Sequence, residues 1–201
     1  MKVAITGTTK GIGKATKEKL LNLGHEVLCI NRDQWDLNNI EEVSKIDLTR
    51  VDVLINNAGH DIGMGLSFNK VQKTDIISQI NVNLLSPMLL THSFVNQNDK
   101  GTVINITSGS IHDLKKNMTT YYTTKSGLSK FTQAITKDLK DNFRFVEVIP
   151  RRVRTSFFET SKAKHLQSTD FLIDAAEVAK VIITIIDNPY LSNITVKDHR
   201  R

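Results

Sequence analysis

Short apolar runs alternate along the chain with longer stretches in which apolar residues recur every three or four positions. A short apolar run bounded by polar residues is typical of a buried strand, and the longer spacing is typical of a helix with one buried face. The runs predict strands at 2–6, 26–30, 51–55, 101–108, 143–149 and 194–196, with a strand remnant at 35–37. The longer stretches predict a helix that ends at Gly24 and further helices at 38–46, 75–94, 119–141 and 174–186.

The helix predicted at 75–94 has two unusual residues. Pro87 lies inside it, and proline predicts a kink or local break there. Asn83 is an amide at an interior position, where amides are not favoured, so we expect its side chain to bond a specific partner. The apolar residues that predict its buried face are Ile76, Ile77, Ile80, Leu84, Leu85, Met88 and Leu89.

Alternating strands and helices predict an α/β fold, a doubly wound, Rossmann-like parallel sheet with helices on both faces. We expect seven strands, counting the remnant at 35–37, in a single domain that spans residues 1–201. The connection between residues 30 and 51 is too short for a full crossover helix, so we expect one to be missing. A ligand of such a sheet binds at the carboxyl ends of the strands.

Composition narrows the class of protein. The net charge of +6 is compatible with nucleic acid, but the basic residues are scattered and no zinc-ligand spacing or aromatic RNA-binding motif accompanies them, so we expect no nucleic-acid role. Cys29 is the single cysteine and lies in an apolar run, which predicts a buried thiol in a reducing compartment. No signal peptide or stretch of about 18 apolar residues is present, and we expect a cytoplasmic protein without a membrane partner.

The first strand leads into a glycine-rich turn, G-x-x-x-G-x-G at 7–13, which opens a helix. A strand, glycine turn and helix present backbone N–H groups and a positive helix end to a phosphate. The predicted cofactor residues of this turn are Gly7, Thr9, Lys10, Gly11, Ile12 and Gly13. A P-loop is a weaker alternative, because Thr8 replaces its glycine and Ala15 its magnesium-binding Ser or Thr.

The second strand ends at Asn31 and Arg32. In a dinucleotide-binding fold an acidic residue at this point bonds the ribose 2′-hydroxyl, whereas basic residues accept a 2′-phosphate. Asn31 removes the acid, and Arg32 with Lys10 supplies positive charge, which favours NADP over NAD. The alternative is that Arg32 is a solvated loop residue.

A hydroxyl, a phenol and an ammonium group follow one another from Ser108 to Lys125. If Tyr121 opens a helix, Lys125 lies on the same face one turn later and is expected to lower the pKa of the phenol. Taken alone, Tyr-x-x-x-Lys favours an ordinary helical pair, because the pattern is short and common. The segment 56–59, Asn-Asn-Ala-Gly, also ends a predicted strand and is expected to support a cofactor or brace neighbouring strands.

Together these motifs resemble the short-chain dehydrogenase/reductase family. The turn at 6–13 looks like its cofactor motif, 56–59 like its second motif, and 150–155 like its Pro-Gly motif. Its catalytic tetrad would be Asn83, Ser108, Tyr121 and Lys125. The cofactor residues that the resemblance adds are Asn31, Arg32, Asp36, Leu37, Asn57, Ala58, Gly59, Tyr121, Lys125, Pro150, Val153 and Thr155.

The resemblance implies reversible hydride transfer between NADP(H) and a small carbonyl or alcohol. Tyr121 would protonate the carbonyl oxygen, Ser108 would bond it, Lys125 would bond the nicotinamide ribose and Asn83 would fix a relay water. Thr155 would contact the carboxamide. A sensor or scaffold that binds a dinucleotide without turnover is the alternative.

The chain departs from the family at three places. Arg151 replaces the glycine after Pro150, the C-terminus after Val196 is short, and the lid segment 156–171 is short and polar, with Phe157 and Phe158 as candidate pocket residues. His60 and His112 are expected either to face substrate or to be solvated. No candidate metal site is present. The resemblance implies a homodimer or homotetramer built through the helices at 75–94 and 119–141.

Overall fold

The predicted strands pair in one parallel sheet. The computed structural model describes residues 1–63, 65–111, 114–154 and 172–196. Its strands are β1 (Lys2–Thr6), β2 (Glu26–Ile30), β3 (Val53–Asn56), β4 (Gly101–Ile106), β5 (Phe143–Pro150), β6 (Val153–Arg154), β7 (Ile173–Asp174) and β8 (Ile194–Val196). Its helices are α1 (Gly11–Asn22), α2 (Ile40–Val43), α3 (Lys73–Ile80), α4 (Ser86–Gln97), α5 (Thr119–Leu139) and α6 (Ala175–Asp187).

The main sheet has six strands in the order β2-β1-β3-β4-β5-β8, all parallel, and β6 pairs with β7 beside it. Hydrophobic cores lie on both faces. One joins the sheet to α1 and α6, and the other joins it to α4, α5 and the connection after β2. The predicted α/β doubly wound fold is therefore confirmed.

Residues 35–37 do not form the expected seventh strand. The Asn31 carbonyl accepts hydrogen bonds from the N–H groups of Gln34 (3.1 Å) and Trp35 (2.8 Å), and the Asp36 carbonyl accepts one from Asn39 (2.8 Å). Because these bonds turn the chain on itself, the segment has no extended backbone to pair with β2. The prediction of a strand remnant was wrong.

The connection from β2 to β3 contains only the four-residue α2. This connection, which the structure describes throughout, has no full crossover helix, as the sequence predicts. Asn39 caps α2, since its side chain accepts the Glu41 N–H at 3.2 Å. The connection as a whole, including the end of α2, covers one face of the sheet with buried side chains. These are Leu37, Val43, Ile46, Leu48 and Val51.

The predicted helix at 75–94 is divided as Pro87 indicates, into α3, a π-helical turn at Asn81–Leu85, and α4. The predicted buried face was wrong. Ile77 is 57% exposed, and Ile80 and Met88 are also exposed. The residues that point inward include polar ones whose groups bond the neighbouring elements, namely Gln79, Asn83, Ser86 and Thr91. Within the described ranges, no helix has the length and apolar character needed to cross a bilayer.

Candidate active site

The carboxyl ends of β1, β3, β4 and β5 meet at one edge of the sheet. Gly7 follows β1, Asn57 follows β3, Ser108 lies two residues beyond β4, and Arg151 follows β5. The pairing Asn56 with Asn105 and Ile106 with Val148 aligns these ends. The Asn56 side chain also donates to Asn105 (2.8 Å), which donates to Thr132 of α5 (2.8 Å). The expected bracing of neighbouring strands is thus present.

The glycine turn is tight because its residues approach one another closely. Gly7 and Gly11 have φ of +70° and +57°, in the left-handed region that favours glycine. A Cβ on Gly13 would collide with the Gly7 carbonyl oxygen and lie 2.5 Å from Asn57 Nδ2. Within the described residues, the N-cap residue Lys10 makes no side-chain hydrogen bond to the start of α1. Its first N–H groups therefore point outward in the arrangement that suits a phosphate.

Two predicted cofactor residues hold this turn in place. Asn31 Oδ1 accepts the Thr8 N–H at 2.7 Å, and the Asn31 amide also donates to the Thr8 hydroxyl at 2.9 Å. Asn57 Nδ2 donates to the carbonyls of Thr6 (2.9 Å) and Gly7 (3.1 Å). The backbone N–H groups of Asn57 and Ala58 donate to the Thr6 hydroxyl. These side chains position the turn.

The cationic side of the turn is open to solvent. The Arg32 side chain is 77% exposed, and its Nε lies 3.8 Å from Asp36 Oδ1. Lys10 is exposed at the start of α1. Asp36 also accepts the Asn38 N–H at 3.0 Å. Leu37 is a buried core residue whose carbonyl accepts the Ser86 hydroxyl at 2.6 Å.

The Tyr121 phenol hydrogen-bonds the Ser108 side chain. Tyr121 is 9% exposed, and burial raises the pKa of its phenol to about 12, against the lowering effect of the Ser108 bond. The nearby Asp61 and Tyr122 raise the pKa further. The expected lowering by Lys125 does not occur in this structure. The loss of water around a buried phenol outweighs any nearby attraction.

Lys125 lies one turn after Tyr121 in α5 and is also buried. Its Nζ donates to the Ile106 carbonyl at the end of β4, at 2.8 Å. Burial lowers the pKa of this ammonium to about 8. A Cβ on Gly59 would lie 3.4 Å from Nζ and 3.3 Å from Asn83 Oδ1. Gly59 therefore leaves room beside the ammonium group.

Asn83 occupies the π-helical turn, and its side chain is bonded on both sides. Oδ1 accepts the His60 N–H at 2.9 Å, and Nδ2 donates to the His60 carbonyl at 2.8 Å and the Thr124 hydroxyl at 3.2 Å. Pro87 lies four residues later and has no N–H for the Asn83 carbonyl. π-Helical turns are frequent at functional sites.

Comparisons with known proteins agree with this arrangement. The family model for short chain dehydrogenases matches residues 39–166. The chain belongs to the short-chain dehydrogenase/reductase family. The chain is 28% identical to an uncharacterised short-chain type dehydrogenase/reductase of Sinorhizobium fredii, over 95% of this chain and 87% of that protein. It is 32% identical to benzil reductase of Bacillus subtilis, over 68% of this chain and 67% of that protein.

Solved structures share the fold at lower identity. The 3-ketoacyl-(acyl-carrier-protein) reductase of Brucella melitensis, complexed with NADH, has a TM-score of 0.85 at 19% identity and covers 99% of this chain and 97% of that one. A short-chain dehydrogenase of Sphingobium yanoikuyae, complexed with NADPH, has a TM-score of 0.81 at 19% identity. The match covers 96% of this chain and 86% of that one. The family is one of oxidoreductases.

In this family member, sequence reasoning missed Asp61. Its carboxylate is 8% exposed, accepts the amide of the fully buried Gln79 at 3.1 Å, and contributes to the high pKa of Tyr121. The only available signal was an acidic residue two positions after Gly59. The His60 ring, at 3.3 Å from the Ser78 hydroxyl, is half-buried, and burial lowers the pKa of its imidazole.

Some predicted site residues belong to the sheet and its core, and others lie outside the described ranges. Val153 is a buried core residue, and Pro150 pairs with Val196 of β8. Thr155 and His112 fall outside the described residues, as do Phe157 and Phe158.

Proposed function

We propose that this short-chain dehydrogenase transfers hydride reversibly between NADP(H) and a small carbonyl or alcohol substrate. The observation that carries the proposal is the hydrogen bond between Tyr121 and Ser108, with Lys125 one helical turn away, at the sheet edge that also holds the glycine turn. A hydroxyl and a phenol that share a hydrogen bond offer two donors to a single substrate oxygen.

The glycine turn suits the pyrophosphate of a dinucleotide. The N–H groups of Gly11, Ile12 and Gly13 at the uncapped start of α1 would bind it, and Gly59 would let the nicotinamide ribose approach Lys125. Lys10 and Arg32 would bind the 2′-phosphate. The bound cofactor supplies or accepts the hydride. Solved relatives that carry NADPH or NADP, including a Burkholderia cenocepacia short-chain dehydrogenase, support the choice of NADP.

Burial shifts the pKa values of Tyr121 and Lys125, and these shifts determine which group donates a proton at each stage. In the reductive direction Tyr121 donates its proton to the carbonyl oxygen, while Ser108 stabilises the charge that develops there. A phenol with a raised pKa stays protonated at neutral pH until that charge appears. The ammonium group of Lys125, whose pKa is lowered to about 8, is a ready source of the replacement proton. The Asn83 carbonyl, which Pro87 does not bond, would hold a water between Lys125 and solvent.

The proposal predicts turnover with NADPH. With the wild-type protein, the absorbance of NADPH should fall in the presence of at least one member of a panel of aldehydes and ketones, and more slowly with NADH. Binding of NADPH without oxidation across the panel would favour the sensor or scaffold alternative. Tight binding of ATP without any binding of NADPH or NADH would exclude the dehydrogenase assignment.

The cofactor preference predicts a selective loss in the double variant Lys10→Ala/Arg32→Ala. Removing one or two charge-assisted hydrogen bonds to the 2′-phosphate should weaken NADPH binding about 10- to 100-fold and NADH binding less than about twofold. Calorimetric titration measures both. Lys14→Ala is the matched control, because Lys14 is exposed in the same helix but pairs with Glu18 at 3.9 Å. Equal losses for the two cofactors would refute the assignment.

The outward face of α3 and α4 supports a homodimer or homotetramer. Ile77, Ile80 and Met88 expose apolar side chains there. Exposed apolar side chains of this kind are available for contact with a second subunit. We expect sedimentation equilibrium to give at least twice the chain mass of 22.6 kDa. A mass that stays at one chain at micromolar concentration would exclude both assemblies.

A further inference from the structure

The residue after Pro150 is placed beside the candidate catalytic serine by the sheet. Strands β4 and β5 pair with Ile106 opposite Val148, so the same alignment continued beyond the strands sets Gly109 opposite Arg151. The Arg151 N–H donates to the Val196 carbonyl of β8 at 2.9 Å, which fixes its backbone. Arg151 therefore stands next to the segment that carries Ser108.

Gly109 provides the room for the Arg151 side chain. A Cβ on Gly109 would lie 2.9 Å from Arg151 Cγ and 3.3 Å from its Cα. The arginine stem thus packs directly over the backbone of the residue that follows Ser108. A side chain at position 109 would force this stem away from the site.

The charge of Arg151 is not neutralised within the described part of the chain. Arg151 is exposed, and no described carboxylate lies within ion-pair distance of it, whereas Arg154 pairs with Asp174 at 3.5 Å. Guanidinium is always charged in proteins and binds a carboxylate through two parallel hydrogen bonds. A cation anchored at the rim of an active site selects ligands of opposite charge.

Arg151 and the glycine turn lie at different strands of the sheet edge, and the turn is the site proposed for the cofactor phosphates. The glycine turn that would bind them follows β1, and Arg151 follows β5, three strands away in the order β1-β3-β4-β5. Neighbouring strands are about 4.8 Å apart, which separates the two sites by about 14 Å. Ser108 follows the adjacent strand, one spacing of about 5 Å away.

We propose that Arg151 binds an anionic group of the substrate, so that the carbonyl substrates of this enzyme are keto acids. The proposal rests on the proposed function, because Ser108 and Tyr121 must hold the carbonyl while Arg151 holds the carboxylate. Arg151 is then a specificity-determining residue, and Gly109 is the position that admits it.

The test compares acids with their neutral esters. Pyruvate, acetoacetate and levulinate place the carboxylate at increasing distance from the ketone, and each has a methyl ester. Binding is measured by ligand-observed NMR on the protein with NADP⁺, which cannot reduce a ketone, and turnover is measured separately by NADPH oxidation. We expect at least one acid to bind about 10- to 100-fold tighter than its ester.

Substitutions at Arg151 and Arg152 identify the residue that causes the preference for acids over esters. Arg151→Ala should lower the acid-to-ester ratio at least tenfold, in binding and in kcat/KM. Arg152→Ala is the matched control, since Arg152 is the adjacent exposed arginine, and it should change the ratio less than twofold. Arg151→Lys should keep part of the preference, because it retains the charge and loses the planar fork.

Three results would overturn the proposal. They are no preference for any acid, a preference that survives in Arg151→Ala, and an equal loss in Arg152→Ala, which would indicate diffuse surface charge. A tenfold loss of NADPH affinity in Arg151→Ala without a change in the ratio would assign the arginine to the cofactor. A preference for acids in binding with no NADPH oxidation would reject the proposed function and retain the anion site.

Discussion

Tyr121→Phe is expected to lower kcat by about 10²- to 10⁴-fold, the usual contribution of a general acid, while NADPH binds within about twofold of its wild-type affinity. The substitution removes the proton that the substrate oxygen receives and leaves the ring in its buried place in α5. Steady-state NADPH oxidation measures the first effect and calorimetric titration the second. Retained turnover would show that another group donates the proton.

Tyr122→Phe is the matched control for this experiment. Tyr122 is the next residue and is buried to a similar degree, with its ring centroid 6.3 Å from that of Tyr121. Its phenol accepts the Lys115 N–H at 2.9 Å and donates to the Met118 sulfur at 3.2 Å. We expect kcat to change less than about threefold. A similar loss in both variants would indicate a packing effect.

Gly13→Ala is expected to destabilise the fold and to prevent cofactor binding together. The added Cβ would collide with the Gly7 carbonyl oxygen and crowd Asn57 Nδ2, which itself holds that carbonyl. Overpacking of this kind costs about 1–3 kcal/mol, and at about 2–4 °C per kcal/mol the Tm should fall by several degrees. Because the turn must move, NADPH affinity should fall more than tenfold.

Gly24→Ala is the control that separates the loss of fold stability from the loss of cofactor binding. Gly24 lies after the other end of α1 with φ of +77°, and no atom lies within 4 Å of an added Cβ. The strained backbone should cost about 1–2 kcal/mol. Cofactor affinity should be unchanged, since the glycine turn is untouched. If Gly13→Ala bound NADPH normally, the turn would not be the phosphate site.

Local signals were sufficient for most of the fold. Strands such as β1 and β3 are short, have an apolar centre and end next to glycine or amide residues, and their positions were predicted within two residues. The interrupted helix also followed from one local rule, the missing N–H of Pro87. The strand prediction at 35–37 was wrong because the apolar residues of this segment pack into the hydrophobic core on one face of the sheet. A pattern of two or three residues does not distinguish such a buried connection from a strand.

Long-range hydrogen bonds explain what the sequence could not predict. Asn31 and Asn57 were predicted as cofactor residues, and the sequence did not show that their amides also hold the turn, through bonds to residues 23 and about 50 positions away. The inward-facing polar side of α3 and α4 has the same cause, since Gln79 and Asn83 bond the loop after β3. Likewise, the pKa of Tyr121 depends on burial and on Asp61, which only the packed structure brings together.

The contact between Gly109 and Arg151 makes the effect of a substitution at one position depend on the residue at the other. A Cβ at position 109 meets the arginine stem at 2.9 Å, so an arginine introduced at 151 beside any larger residue at 109 would be displaced from the serine segment. A glycine at 109 beside a glycine at 151 has no such conflict. The pair should be epistatic, with each substitution tolerated according to the state of the other.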